Sequence, residues 1–298
     1  AVGYPRDRFV YLELGNEIWN WAAAFAWGTE WYWGLSRAVE KRTNRKYAGN
    51  STRGGYGYFS GRLGEAFAKA LKKAGREDQK WAIIIGTQTA WPDQTRGALE
   101  GLADYQGDPE FQQPMSRFGV ATTGYYSGGF RYGGTNTVLG DVFAEAGAWR
   151  AEWMRQFEED RAALAQRIAD HLVSDKKERA TLGWVMAHTR DHASMAEDAG
   201  AFYFGQYEGS SHERLDKTLG QDERVLAFID EWHAGPHHAR VIKKQAELMR
   251  AEFPDAIMSN YMHWGRHLAS DGSPWIEGYP WEEPGEAEQT LLDLLRPE

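Results

Sequence analysis

Two carboxylic acids in this chain stand where an apolar run gives way to a polar one. The segment Tyr11-Leu12-Glu13-Leu14-Gly15-Asn16-Glu17-Ile18-Trp19-Asn20 passes from a strand-like stretch into Asn16-Glu17, then into a run holding Trp19, Trp21, Trp27, Trp31 and Trp33. The segment Phe202-Tyr203-Phe204-Gly205-Gln206-Tyr207-Glu208-Gly209 does the same with Glu208, and His212 follows. A carboxyl beside apolar walls is raised in pKa and serves as a general acid, while a hydrogen-bonded one stays ionised. Two such groups are what glycoside hydrolysis needs: one protonates the leaving oxygen, and the other attacks the anomeric carbon or activates water. Indole faces suit sugar rings, whose C–H faces pack on apolar planes while their hydroxyls seek polar partners. The competing reading makes Asn16 a helix cap and Glu17 an exposed acid in the first turn.

Other groups compete for these roles. Glu231 ends the run Val225-Leu226-Ala227-Phe228-Ile229-Asp230-Glu231-Trp232, which reads as a strand; Val225, Ile229 and Trp232 also stand at i, i+4, i+7, which reads as a helix. Glu277 in Trp275-Ile276-Glu277-Gly278 is a weaker rival. Glu13 shares strand parity with Glu17 and reads as a buried structural acid paired with an Arg. His233, His237 and His238 raise a metal site, but Gly235-Pro236 interrupts the helix that would align them, so a solvated loop is the expected reading. The basic stretch Lys41-Arg42-Thr43-Asn44-Arg45-Lys46 reads as a solvated face, or as a contact for an acidic polysaccharide.

The elements that must position these groups alternate. Strand candidates are Phe9–Leu14, Trp81–Gly86, Phe118–Thr123, Ala201–Tyr207 and Ala256–Tyr261. Between them, Ser60 is the expected N-cap of a helix through Leu63, Phe67 and Leu71 that stops at Gly75. One long helix is expected over Trp149, Trp153, Phe157, Leu164, Ile168 and Leu172, and another over Val241–Phe253. The glycine- and tyrosine-rich stretches Gly49–Gly61 and Gly124–Gly134 read as loops. Alternating strands and helices predict an α/β fold.

Composition narrows the classes. The chain has 298 residues, 34 Lys+Arg against 43 Asp+Glu, a formal charge of −9 and no Cys. A net negative chain is a poor nonspecific nucleic-acid binder. Lack of Cys excludes a thiol nucleophile, a disulfide framework and cysteine–zinc sites. The longest apolar run, Trp21 to Trp27, falls far below the ~18 residues of a membrane span. No nucleotide-binding glycine motif precedes a helix, and no cofactor is implied.

On the segments quoted, the chain resembles clan A of the retaining glycoside hydrolases, which are (β/α)8 barrels, and within it a bacterial cellulase-like, arabinofuranosidase-like branch. Glu13, Asn16, Glu17, Trp19 and Asn20 match that branch's fourth-strand pattern Glu-x-x-Asn-Glu-x-Trp-Asn, and Tyr207-Glu208-Gly209 matches its seventh strand. The resemblance implies a single barrel domain over residues 1–298. Glu17 is then the acid/base, Glu208 the nucleophile, and Asn16 the holder of the sugar 2-hydroxyl. It also implies that Glu17 titrates high and Glu208 low. Substrate contacts are implied for Trp19, Gln88 (fifth-strand end), Tyr125 (oriented on the nucleophile), His212, Trp264 and Trp275 (eighth-strand region). Ser210 and Ser211 stand where the branch has Gly-Gln. On this alignment the chain opens at the fourth strand, so an N-terminal fragment or second chain is expected to supply strands 1–3. The implied partner is a carbohydrate, with no metal, nucleic acid or membrane, and the implied location is secreted or periplasmic. A carbohydrate-binding protein that has lost catalysis on the same scaffold is the alternative.

Overall fold

The structure is a computed structural model that describes residues 4–15, 18, 26–47, 51–105, 107–126, 148–175, 181–214, 221–258, 266–268, 274–277, 286, 289–290 and 293. Strand and helix alternate through the first part: β1 (Val10–Glu13), α1 (Ala26–Thr43), α2 (Ser51–Lys73), β2 (Trp81–Thr87), α3 (Pro92–Ala103), β3 (Phe118–Tyr126). Three helices follow, α4 (Ala148–Glu159), α5 (Arg161–Leu172) and α6 (Leu182–Asp198), and then β4 (Phe202–Arg214). The remainder holds α7 (Glu223–Ala234), α8 (Pro236–Glu252), β5 (Ile257–Met258), β6 (Arg266–Leu268) and β7 (Pro274–Glu277). The class is α/β, and all five strand candidates coincide with strands, the last only over Ile257–Met258.

The chain divides into two compact units, residues 1–123 with 188–205 and residues 124–187 with 206–298. In the first, strands lie in the order β1-β2-β3-β4. β1 and β2 are parallel with Val10 opposite Trp81, and β2 and β3 are parallel with Ile83 opposite Phe118. Every residue of β2 is buried. That is why Trp81-Ala82-Ile83-Ile84-Ile85 is continuously apolar rather than alternating: a parallel strand is covered on both faces.

The Gly49–Gly61 stretch is not a loop where the structure describes it. Residues from Ser51 onward belong to α2, and Ser60, the expected cap, lies buried in mid-helix. The glycines are contact positions. A Cβ on Gly57 would lie 1.7 Å from the Ala98 carbonyl oxygen, and one on Gly101 would lie 1.8 Å from that of Gly54, so α2 and α3 touch backbone to backbone. Gly55 meets α1 at Ser36 in the same way. Gly75 ends the segment as expected, with φ +63°.

A buried polar cross-link ties α6 to β2 and α3. His192 is fully buried, with Nδ1 2.6 Å from Thr95 Oγ1 and Nε2 3.1 Å from the Thr89 carbonyl. The carbonyl only accepts, so Nε2 carries a proton, and burial pulls the ring down to about 4, which keeps it neutral near pH 7.

The second unit has its core between α4, α5, α7 and the start of α6. Trp153, Phe157, Leu164, Ile168, Leu172, Val225, Ile229 and Trp232 are buried in one cluster with Tyr126 from β3. The expected long helix over residues 149–172 is two helices, because Asp160 leaves helical geometry and its side chain caps α5 by accepting from the Ala163 N–H at 2.9 Å. In this unit β4 pairs β7 antiparallel, His212 opposite Glu277, and β7 pairs β6 antiparallel; β5 also pairs β4. Trp275 therefore belongs to an antiparallel strand rather than to the parallel eighth strand that the resemblance implied. Among the described residues no helix is long and apolar enough to cross a membrane.

Candidate functional site

The second unit places one acid in a specific polar setting. Glu208 lies on β4, and the Tyr125 hydroxyl on β3 donates to its Oε1 at 2.9 Å. Both side chains are partly buried. Gly124–Tyr126 is thus strand, where a loop was expected from Gly124 onward; residues 127–147 lie outside the described residues. Two positions past Glu208, still within β4, Ser210 has φ +111°, a conformation that L residues adopt only under constraint. The strand enters its antiparallel ladder with β7 just beyond, at His212.

Both strands that carry this pair are anchored to the helices outside them. Tyr126 follows Tyr125, and its hydroxyl lies 2.7 Å from His238 Nε2 on α8. His238 Nδ1 donates to the His233 carbonyl at 3.0 Å, so Nε2 accepts from the tyrosine. Ser211 Oγ lies 2.8 Å from His233 Nε2 on α7. Gln245 on α8 donates to the Gly124 carbonyl at 2.8 Å and to Gln206 Oε1 at 2.9 Å, and all of these side chains are buried. Gly124 is required here, since a Cβ would lie 2.5 Å from Gln206 Oε1. Burial holds His238 down at about 4, and burial followed by the neighbouring His238 holds His233 well below its ordinary value.

This overturns the solvated-loop reading of His233 and His238. α7 ends at Ala234 and α8 starts at Pro236, so both rings face the interior. Among the described residues no three His, Cys, Asp or Glu side chains gather as a metal site. Glu231 is exposed on α7, which decides its segment as helix and takes it away from any strand end. Glu277 stands on β7 opposite His212.

In the first unit, Tyr56 of α2 joins the ends of β1 and β2. Its hydroxyl lies 3.2 Å from Glu13 Oε1 and 3.4 Å from the Gly15 carbonyl, and it accepts the Gly86 N–H at 3.3 Å. Burial, and then the Glu13 charge, keep this phenol well above its ordinary value, so it remains a donor. Glu13 is exposed rather than buried, and this tyrosine is a partner that the sequence reading did not name. Gln88 follows β2 directly, and its N–H donates to Gln94 Oε1 at 3.0 Å.

Asn16, Glu17, Trp19 and Trp264 lie outside the described residues. His212 and Trp275 are placed as strand positions only, Trp275 opposite Arg214. Of the residues implied by resemblance, the structure brings Glu208 and Tyr125 together and sets Gln88 at a strand end. Sequence reasoning missed Tyr56, Gln245 and the anchoring His233 and His238. Their partners are distant in sequence, and only the buried-helix periodicity of α7 and α8 hinted at inward-facing polar groups.

No family model matches the chain, and no curated protein or solved structure does either.

Proposed function

We propose that the chain is a retaining glycoside hydrolase acting on an oligo- or polysaccharide, and that β1 to β4 are part of a (β/α)8 barrel. The observation that carries the reading is the hydrogen bond from Tyr125 to Glu208, the pairing the hydrolase resemblance implies for a nucleophile. The strained Ser210 just beyond it supports the same reading, since backbone strain concentrates at working sites. In this reading the Glu208 carboxylate attacks the anomeric carbon as the glycosidic C–O bond breaks, and Glu17 gives its proton to the leaving oxygen. Water then loses a proton to Glu17 and displaces Glu208 from the sugar. Asn16 holds the 2-hydroxyl. Such a substrate puts the site of action outside the cytoplasm, in a secreted or periplasmic protein.

The test uses nitrophenyl glycosides. Glu208→Gln should abolish turnover, and a 2-fluoroglycoside should label the peptide that holds Glu208. Glu17→Gln should lose far less rate on a nitrophenolate leaving group, which needs little protonation, than on a natural linkage. Wild-type activity in both variants overturns the assignment. A second reading, a non-catalytic carbohydrate binder, is favoured by Trp27 and Trp31, one turn apart on α1 and 83% and 57% exposed. Saturable sugar binding with no turnover and no covalent label would select it.

A further inference from the structure

Several arginines of this chain pair with carboxylates, while others lie against aromatic rings. Arg45 pairs with Asp104 at 2.9 Å, Arg96 with Asp93 at 3.0 Å and Arg240 with Asp170 at 2.5 Å. Arg53 differs. It lies in the first turn of α2, one turn before Tyr56, so it stands at the same end of β1 and β2 that Tyr56 ties together. It is partly buried, its Nε is fully covered, and among the described residues that atom has no hydrogen-bond partner. Among the described residues no carboxylate forms an ion pair with it: the acid whose charge it feels, Asp93, is held by Arg96. Burial pulls its guanidinium down to about 10, partly offset by Asp93. A partly desolvated cation without an anion is costly to keep.

Its surroundings are equally incomplete. The guanidinium carbon lies 5.9 Å from the ring centroid of Trp91, which is 51% exposed. Trp91 belongs to one turn with Gln88 and Gln94: its N–H donates to the Gln88 carbonyl at 2.9 Å, and its own carbonyl accepts from the Gln94 N–H at 2.9 Å. Gln94 is 1% exposed, and its amide is oriented because Oε1 takes the Gln88 N–H. Among the described residues that leaves Gln94 Nε2 a buried donor without a partner, and Gln88 Oε1 a buried acceptor without one. The two amides and the half-exposed Trp91 indole therefore share the segment after β2, and the Arg53 guanidinium of α2 faces that indole.

We propose that Arg53 and Trp91 form a subsite for an anionic sugar residue, its ring on the exposed indole of Trp91 and its charged group on the Arg53 guanidinium. This rests on the carbohydrate reading above and adds the substrate class to it. The planar guanidinium fork matches either a uronate carboxylate or a sugar sulfate. Arg53 is a site for such a polysaccharide besides the Lys41–Lys46 stretch, of which Arg45 is engaged by acids of α3 and its C-cap.

The experiment is calorimetric titration of the whole chain with three tetrasaccharides: an oligouronate, a sulfated galactan fragment and neutral cellotetraose. Arg53→Gln, Arg53→Lys and Trp91→Ala are compared with the parent at matched melting temperature. Arg53→Gln should weaken an anionic probe about 10- to 100-fold and change the neutral one less than twofold. Arg53→Lys should recover part of the loss, and Trp91→Ala should weaken all probes that bind. Preference for the uronate or for the sulfate identifies the charged group. Equal binding of neutral and anionic probes, insensitive to Arg53, overturns the subsite and leaves the hydrolase reading standing. Arg53-dependent binding of an anionic probe in a chain that turns over no glycoside upholds the subsite and removes the hydrolase. Binding of none of the three overturns the subsite.

Discussion

At the scale of single residues, Tyr125 and Ser210 carry the most information about Glu208. The Tyr125 phenol donates to the carboxylate at 2.9 Å. A hydrogen bond to a charged group is worth roughly 1.5–3 kcal/mol. Tyr125→Phe keeps the ring and removes the hydroxyl, so kcat should fall about 10- to 100-fold with the melting temperature nearly unchanged. Steady-state kinetics beside a thermal scan separates those two effects. Ser210 shows the opposite economy. Its φ of +111° strains any residue with a Cβ, and glycine relieves that strain. Ser210→Gly should therefore stabilise the chain by about 1 kcal/mol, the low end of the usual cost of such a conformation, read from the urea midpoint. A lower midpoint would mean that the Ser210 side chain does more than tolerate its backbone.

At the scale of elements, the clearest departure from sequence expectation is α2. Gly-rich runs signal turns because glycine frees the backbone, and nothing local distinguishes a turn from a glycine-lined helix contact. The distinction lies in Ala98 and Ser36, far along the chain, whose atoms occupy the space a Cβ would take. β2 was legible because a doubly covered strand leaves a continuous apolar signature, whereas the α7 segment reads equally as strand and as helix and only the structure decides it. The pairing of Glu208 with Tyr125 followed from resemblance rather than from pattern. The Gln245–Gly124 and His233–Ser211 contacts, 121 and 22 residues apart, leave no local trace at all. The glycine argument has a direct consequence. Gly57→Ala forces α2 and α3 apart against backbone and should cost about 1–3 kcal/mol. Gly34→Ala in α1, where a Cβ meets nothing within 4 Å, should instead gain about 0.5–1 kcal/mol from helix propensity. Urea unfolding of the two variants should move in opposite directions; loss of stability in both would remove the close-contact explanation.

At the scale of the whole molecule, each unit is built around buried neutral imidazole. His192 cross-links the first, and His238 with His233 anchors the second. Burial depresses His192 and His238 to about 4, against an ordinary value near 6.5. The unfolded chain therefore binds more protons than the folded one between those two values. The stabilisation that comes from keeping these rings neutral is complete above pH ~6.5 and is lost as pH falls toward 4. For each ring the loss by pH 5 is on the order of 2 kcal/mol, and it arrives before most carboxylates titrate. The chain should thus lose several kcal/mol of stability between pH 7 and pH 5, measured by urea unfolding at fixed ionic strength. His192→Gln and His238→Gln should each lower the stability at pH 7, since a hydrogen-bonded ring leaves the core, and each should flatten the slope between pH 7 and pH 5 by the share of the ring removed. A slope unchanged in both variants would mean that the acid sensitivity arises elsewhere than in the two buried networks.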